Sequence, residues 1–201
     1  MSSAPFSRFC LCWVGAVLLP WPSTALRMSA EAIARLQNER KNWRKDHPPG
    51  FVAKPSTNAD GTSNLFVWNV KVPARSSSIW APGLFSATMT FPEEYPHKPP
   101  KVKFDKIDGQ PLFHPNVYLD GGVCLSIINP EGSTHAYGKG GTWSATLNIQ
   151  QVLLALQTFL DEAQSLAAGR QEPYQLYHNN RAEYERRVKL QVAKVEVAFT
   201  A

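Results

Sequence analysis

The sequence predicts an α+β domain in which helices and an antiparallel sheet occupy separate stretches of the chain. Three observations carry the prediction: an amphipathic helical pattern over residues 29–46, alternating strand patterns between residues 51 and 104, and helical periodicity that resumes only after residue 148. At 201 residues, 43% apolar and 18% charged, the chain is long enough for one domain with a full core and too apolar for a disordered one.

Residues 1–27 stand apart. Arg8 precedes the apolar run Phe9–Leu19, Pro20-Trp21-Pro22 breaks it, Ser23-Thr24-Ala25 resembles a small-residue cleavage site, and no acidic residue is present. The run is too short for a membrane span and has the shape of a signal-peptide core. Three readings stay open: a secretory leader, an organelle-targeting leader, or an upstream extension ahead of a start at Met28. Met28-Ser29-Ala30 opens a helix, which favours the last. The fold is therefore expected in residues 28–201, with 1–27 as a leader-like or artefactual extension.

The first helix, capped by Ser29, places Ile33, Leu36 and Trp43 on one face and Arg35, Arg40, Lys41, Arg44 and Lys45 on the other. Residues 28–54 carry a net charge of +3 from six Lys/Arg and three Asp/Glu. Such a face is either simply solvated or a docking surface. His47-Pro48-Pro49-Gly50 ends the helix, because proline cannot continue it. Phe51–Lys54 is a short strand, and Asn58-Ala59-Asp60-Gly61 a turn. Leu65–Val72 puts Phe66, Trp68, Val70 and Val72 on one face; Leu84–Phe91 does the same with Phe85, Ala87, Met89 and Phe91. Lys101–Phe104 completes a four-stranded antiparallel meander, favoured by the short connections. About forty irregular residues follow, a length that usually signals function. They include a glycine-rich insert from Asn129 to Thr142. Asn148–Leu160 is helical, with Val152, Leu153, Leu156, Phe159 and Leu160 on a stripe. After a loop over Asp161–Gly169, Glu172-Pro173 starts a short helix bearing Tyr174, Leu176 and Tyr177. Asn180 caps another, with Glu183 placed for a capping box.

The net charge of +5 suits a basic patch for an acidic partner better than a nucleic-acid-coating surface, and equally an ordinary solvated surface. Of three cysteines, Cys10, Cys12 and Cys124, none forms a CxxC pair, which argues against zinc. The predicted domain holds Cys124 alone and so forms no internal disulfide, as suits a reducing compartment. A lone cysteine flanked by Val123 and Leu125 commonly packs as a small hydrophobe. Against that reading stands its position in a loop rich in Gly, Pro and Asn, eight residues after Asn116, which suits acyl-transfer chemistry with an amide donor nearby; the residues alone leave both readings open. A Cys–His hydrolase is disfavoured, because His114 precedes Pro115 and reads as a turn-former.

His114-Pro115-Asn116, Gly122-Val123-Cys124-Leu125, Tyr95-Pro96-His97-Lys98-Pro99-Pro100-Lys101 and Trp143 occur in this order. Together they resemble the ubiquitin-conjugating enzyme family over about residues 28–198. Glu39–Pro48, Gly50–Ala53, Leu112–Tyr118, Val123–Ile127 and Glu183–Val188 are most similar to its SUMO-conjugating branch. The resemblance implies the ubiquitin-conjugating-enzyme-like fold: an N-terminal helix, a four-stranded sheet, an active-site loop and C-terminal helices. It implies that Cys124 accepts SUMO as a thioester and passes it to a substrate lysine, with Asn116 donating to the oxyanion or bracing the loop. Tyr118 and Tyr174 would line the lysine's path, and Lys101 would meet the acidic residue of acceptor motifs. Arg40, Lys41, Arg44, Lys45 and His47 would dock SUMO and the activating enzyme.

The partners implied are SUMO, its activating enzyme, SUMO ligases and substrate proteins with acceptor lysines. Nucleic acid, membrane, metal and cofactor are not expected, and ATP is consumed by the activating enzyme. The nucleus and cytoplasm are the implied location, or an organelle or secretory route if residues 1–27 are a leader. The alternatives are a ubiquitin-conjugating enzyme and a binding-only variant of the fold. The chain departs from the family pattern at Ala167, where the branch carries an Asp that orients the lysine. Asp120 and Gly122 replace small hydroxyl residues, and insertions fall near Asp105–Gln110 and Asn129–Thr142.

Overall fold

A computed structural model describes residues 24–130, 141–162 and 170–198, with side chains from residue 29. Helix α1 runs Thr24–Lys45 and so begins ahead of Met28. Its buried stripe is Ala32, Leu36, Glu39 and Trp43, spaced by three and four as a helix face requires. Ile33 does not belong to it: one position round from Ala32, it is 36% exposed. Arg35 also leaves the expected solvated face. Its guanidinium donates to Glu39 and to the carbonyls of Ala145 and Leu147, tying α1 to the segment that leads into the next helix.

Strands β1 (Val52–Thr57), β2 (Ser63–Pro73), β3 (Gly83–Thr90) and β4 (Lys101–Phe104) form the expected antiparallel meander in the order β1-β2-β3-β4. Alternation sets the faces: Trp68, Val70 and Val72 of β2, and Phe85, Ala87 and Met89 of β3, are buried together. Helices α1 and α2 (Ile149–Asp161) pack against β2. α2 is fixed at its start by a complete capping box, Asn148 Oδ1 accepting from Gln151 N and Gln151 Oε1 from Asn148 N.

Helices α3 (Gln171–Asn179) and α4 (Arg181–Val192) follow. Asn180 caps α4 by accepting from Glu183 N–H. The reciprocal half of the predicted box is absent because the Glu183 carboxylate is held by Arg186 and Arg187. A short strand, β5 (Glu196–Val197), adds to the four expected ones. It pairs with Gly83 and Leu84 of β3 on the edge that β4 covers further along, and Lys71 clasps Glu196. Two exposed residues carry no alternation for a sequence reading to find.

The Asp105–Gln110 insertion is a tight turn closed by an Ile107–Gln110 bridge, with Asp108 and Gly109 at positive φ and Asp108 paired to Lys194. The ends of the Asn129–Thr142 insertion meet, Thr142 N–H donating to Ser126 O and Trp143 N–H to Asn129 O; residues 131–140 lie outside the described residues.

Candidate active site

The segment expected to be irregular folds back on itself. Val117 and Val123 form an antiparallel bridge, Tyr118 N–H donates to Gly122 O (2.8 Å), and Cys124 N–H donates to Asn116 O (3.0 Å). The register therefore sets Asn116 directly opposite Cys124 and Tyr118 opposite Gly122. The eight-residue spacing of Asn116 and Cys124 is the length of this hairpin. Its loop, Leu119-Asp120-Gly121, is a turn closed by Gly121 N–H to Tyr118 O (3.0 Å) and ends in a left-handed glycine, Gly121 at φ +88°. Asp120-Gly121 is the sequence signal for this hairpin, one that the motifs on either side do not include.

Main-chain bonds fasten the hairpin to the sheet. Phe104 N–H donates to Gly121 O (2.9 Å) and Val123 N–H to Val102 O (3.2 Å), so β4 runs alongside the strand that carries the thiol. A Cβ on Gly121 would lie 2.3 Å from Phe104 O, so only glycine permits this approach. Cys124 is 7% exposed and Asn116 is fully buried, which places the thiol at the edge of the core and the amide residue beneath it. The 3₁₀ turn Ser126–Ile128 begins two residues after the cysteine, beyond Leu125, and contacts α2.

His114 is a turn-former, as expected. Its Nδ1 accepts from Asn116 N–H (3.1 Å), which puts its proton on Nε2. The ring is fully buried and lies against Phe159 and Trp80. Burial pushes its pKa down to about 3. A neutral imidazole whose one lone pair is already engaged does not serve as a base for Cys124.

Arg170 is a contributor that the sequence reading missed. Its N–H donates to Pro115 O (3.2 Å), its guanidinium to Leu112 O (3.0 Å), and the same group lies over the Phe113 ring at 5.6 Å. It thus ties the start of α3 to the His-Pro-Asn segment. A single arginine between a loop and a short helix gave no pattern to detect. Trp143 Nε1–H donates to Pro96 O (2.8 Å), joining the segment after the cysteine to the Tyr95-Pro96 motif.

The remaining predicted residues fall in three places. Tyr118 lies in the hairpin and is 40% exposed. Lys101 starts β4 with its side chain outward, one residue from Val102. Tyr174 is on α3, its ring against His178 at 4.5 Å, one turn beyond Arg170. The structure joins Cys124, Asn116, Tyr118 and the strand of Lys101 through main-chain pairing, and Tyr174 through the Arg170 tie. Ala167 lies outside the described residues.

Arg40, Lys41, Arg44 and Lys45 line, with Gln37, a shallow cleft of about 530 Å³ on α1. Among the described residues none of these four cations has a carboxylate partner. His47 is beside them, its Nδ1–H donating to Trp43 O (2.9 Å) and its ring stacked on that indole. Among the described residues no helix is long and apolar enough to cross a membrane, and no group of three His, Cys, Asp or Glu side chains is gathered for a metal ion.

Residues 35–192 match the ubiquitin-conjugating enzyme family. The SUMO-conjugating enzyme UBC9 of Caenorhabditis elegans is 45% identical over 167 residues, 83% of this chain and 93% of that protein. The SUMO-conjugating enzyme ubc9 of Dictyostelium discoideum is 44% identical over 82% of this chain and 95% of its own length. The SUMO-conjugating enzyme SCE1 of Arabidopsis thaliana is 45% identical over 81% and 94%. With a family match over most of its length and relatives this similar, the chain belongs to the ubiquitin-conjugating enzyme family.

Proposed function

We propose that this chain is a SUMO-conjugating enzyme, with Cys124 as its acyl-carrying residue. The Cys124 thiolate attacks the thioester that joins SUMO to the activating enzyme. A new C–S bond forms to the SUMO C-terminal glycine, and the activating enzyme's thiolate leaves. A substrate lysine amine then attacks the Cys124 thioester. The C–N bond forms, the C–S bond breaks, the amine proton passes to solvent, and Cys124 is released as thiolate. A thioester is already an activated acyl group, so neither step needs a metal.

The observation that carries this reading is the hairpin register that sets Asn116 opposite Cys124. It supports Asn116 as the residue that steadies the oxyanion formed during aminolysis or holds the loop around it. Tyr118 and Tyr174 fit the path of the incoming lysine, whose amine, with a reference pKa of about 10.4, sheds its proton more readily against apolar rings. The uncompensated cleft of Arg40, Lys41, Arg44 and Lys45, with His47, fits the docking of SUMO and of the activating enzyme, at which ATP is consumed. Ligases and acceptor proteins complete the set of partners. Residues 28–201 form the catalytic domain in this reading, acting in the nucleus and cytoplasm; its lone cysteine suits a reducing compartment.

The test is charging. The protein is mixed with activating enzyme, ATP and either SUMO or ubiquitin. A thiol-labile SUMO adduct that Cys124→Ala abolishes is expected. An adduct with ubiquitin alone would move the protein to ubiquitin conjugation, and no adduct with either would make it a binding-only variant.

A further inference from the structure

The outward face of β4 carries two lysines with different fates. Lys101 and Lys103 alternate with the buried Val102 and Phe104. Lys103 Nζ is held by Asp120 Oδ2 of the hairpin loop, while Asp120 Oδ1 accepts from Gly122 N–H (3.0 Å). Lys103 and Gly122 are also bridged through their main chains, so the pair closes over a fixed junction. The side-chain hydrogen bond from Lys103 holds the Asp120 carboxyl below the usual carboxylate range, and the two opposite charges offset each other. Lys101 has no carboxylate partner among the described residues. Its neighbour Val102 takes the N–H of Val123, the residue before the thiol. An acceptor segment that brings its lysine to Cys124 therefore passes a β4 face with one open cation and one closed ion pair.

Resting on the SUMO-conjugating reading, we propose that Asp120 is a specificity-determining residue of the acceptor site. By occupying Lys103 it leaves Lys101 as the cation open to substrate. The site then takes acceptor segments with one acidic residue near the lysine and gains little from a second. Were Lys103 free, two outward lysines on one strand would favour acceptors with a run of acidic residues.

The variant that tests this is Asp120→Asn, which removes the charge but retains an oxygen to accept from Gly122 N–H, so the hairpin turn is kept. Charged protein is discharged in single turnovers onto three peptides that differ only in carrying zero, one or two acidic residues after the lysine. In the unsubstituted protein the first acidic residue lowers KM and the second changes it little. In Asp120→Asn the second acidic residue lowers KM by about three- to fivefold, the range of an exposed ion pair, with kcat unchanged. The gain disappears at high salt and when Lys103→Ala is added. Equal KM ratios in the two proteins, with charging intact, would overturn the proposal alone. So would a shift that is the same for the neutral peptide, which marks a purely structural role. Failure of both proteins to charge with SUMO would instead overturn the reading on which the proposal rests.

Discussion

Alanine at Gly121 gives the sharpest test of how the hairpin is held. Gly121 is at φ +88°, and Gly61, in the β1–β2 turn, is at φ +84°. Alanine at either incurs the left-handed strain of an L-residue, about 1 kcal/mol. At Gly61 nothing lies within 4 Å of the new methyl group. At Gly121 the methyl would be 2.3 Å from Phe104 O, a main-chain atom that cannot rotate away. The hairpin must lift, and the Phe104 N–H to Gly121 O bond, worth about 1 kcal/mol, is lost or lengthened. Adding about 1 kcal/mol for residual crowding and lost packing, Gly121→Ala costs about 3 kcal/mol and Gly61→Ala about 1 kcal/mol. Urea unfolding of both variants measures this difference. Because the same shift moves the pairing of Asn116 with Cys124, Gly121→Ala discharges SUMO onto a lysine acceptor more slowly while Gly61→Ala discharges normally. Equal destabilisation of the two, with equal discharge, would refute the claim that the Gly121–Phe104 contact positions the site.

Two further predictions concern buried polar groups. Glu39, 6% exposed, accepts from Arg35, from Tyr95 O–H (3.3 Å) and from Ile149 N–H (3.3 Å) at the start of α2. Glu39→Ala leaves these donors short of an acceptor and costs about 3 kcal/mol in a denaturant titration, and Glu39→Gln, which keeps an oxygen, costs less. His114 has a folded pKa near 3 and an unfolded one near 6.5, so between these values the unfolded chain binds the extra proton. Its contribution is fully present above about pH 6.5 and declines as pH falls, by about 2 kcal/mol between pH 7 and pH 5. His114→Asn flattens that slope; an unchanged slope in the variant would show that other groups produce it.

What was legible in the sequence followed periodicity and turn chemistry. Trp68, Val70 and Val72 alternate, and all three are buried. Asn148 and Asn180 precede their helices and cap them. What escaped was set by partners distant in sequence. Glu39 reads as a surface charge until Tyr95 and α2 close over it. Arg35 reads as solvated until the carbonyls of Ala145 and Leu147, 110 and 112 residues away, receive it. Ile33 reads as inward because apolar character alone does not separate it from Ala32, the smaller residue on the true buried face. Within the site, the motifs identified Asn116 and Cys124, but not the hairpin that makes them cross-strand partners. That hairpin depends on Gly121 meeting Phe104, a contact between segments that the motif reading treated separately.

In the proposed mechanism this register sets Asn116 to act on the thioester at Cys124. The direct measurement is single-turnover kinetics of Asn116→Ala, with charging and lysine discharge followed separately. With Asn116 in this role, the variant still forms the Cys124–SUMO thioester and discharge onto a lysine acceptor slows by about 10²-fold or more. Discharge at the unsubstituted rate from a fully charged variant would contradict it.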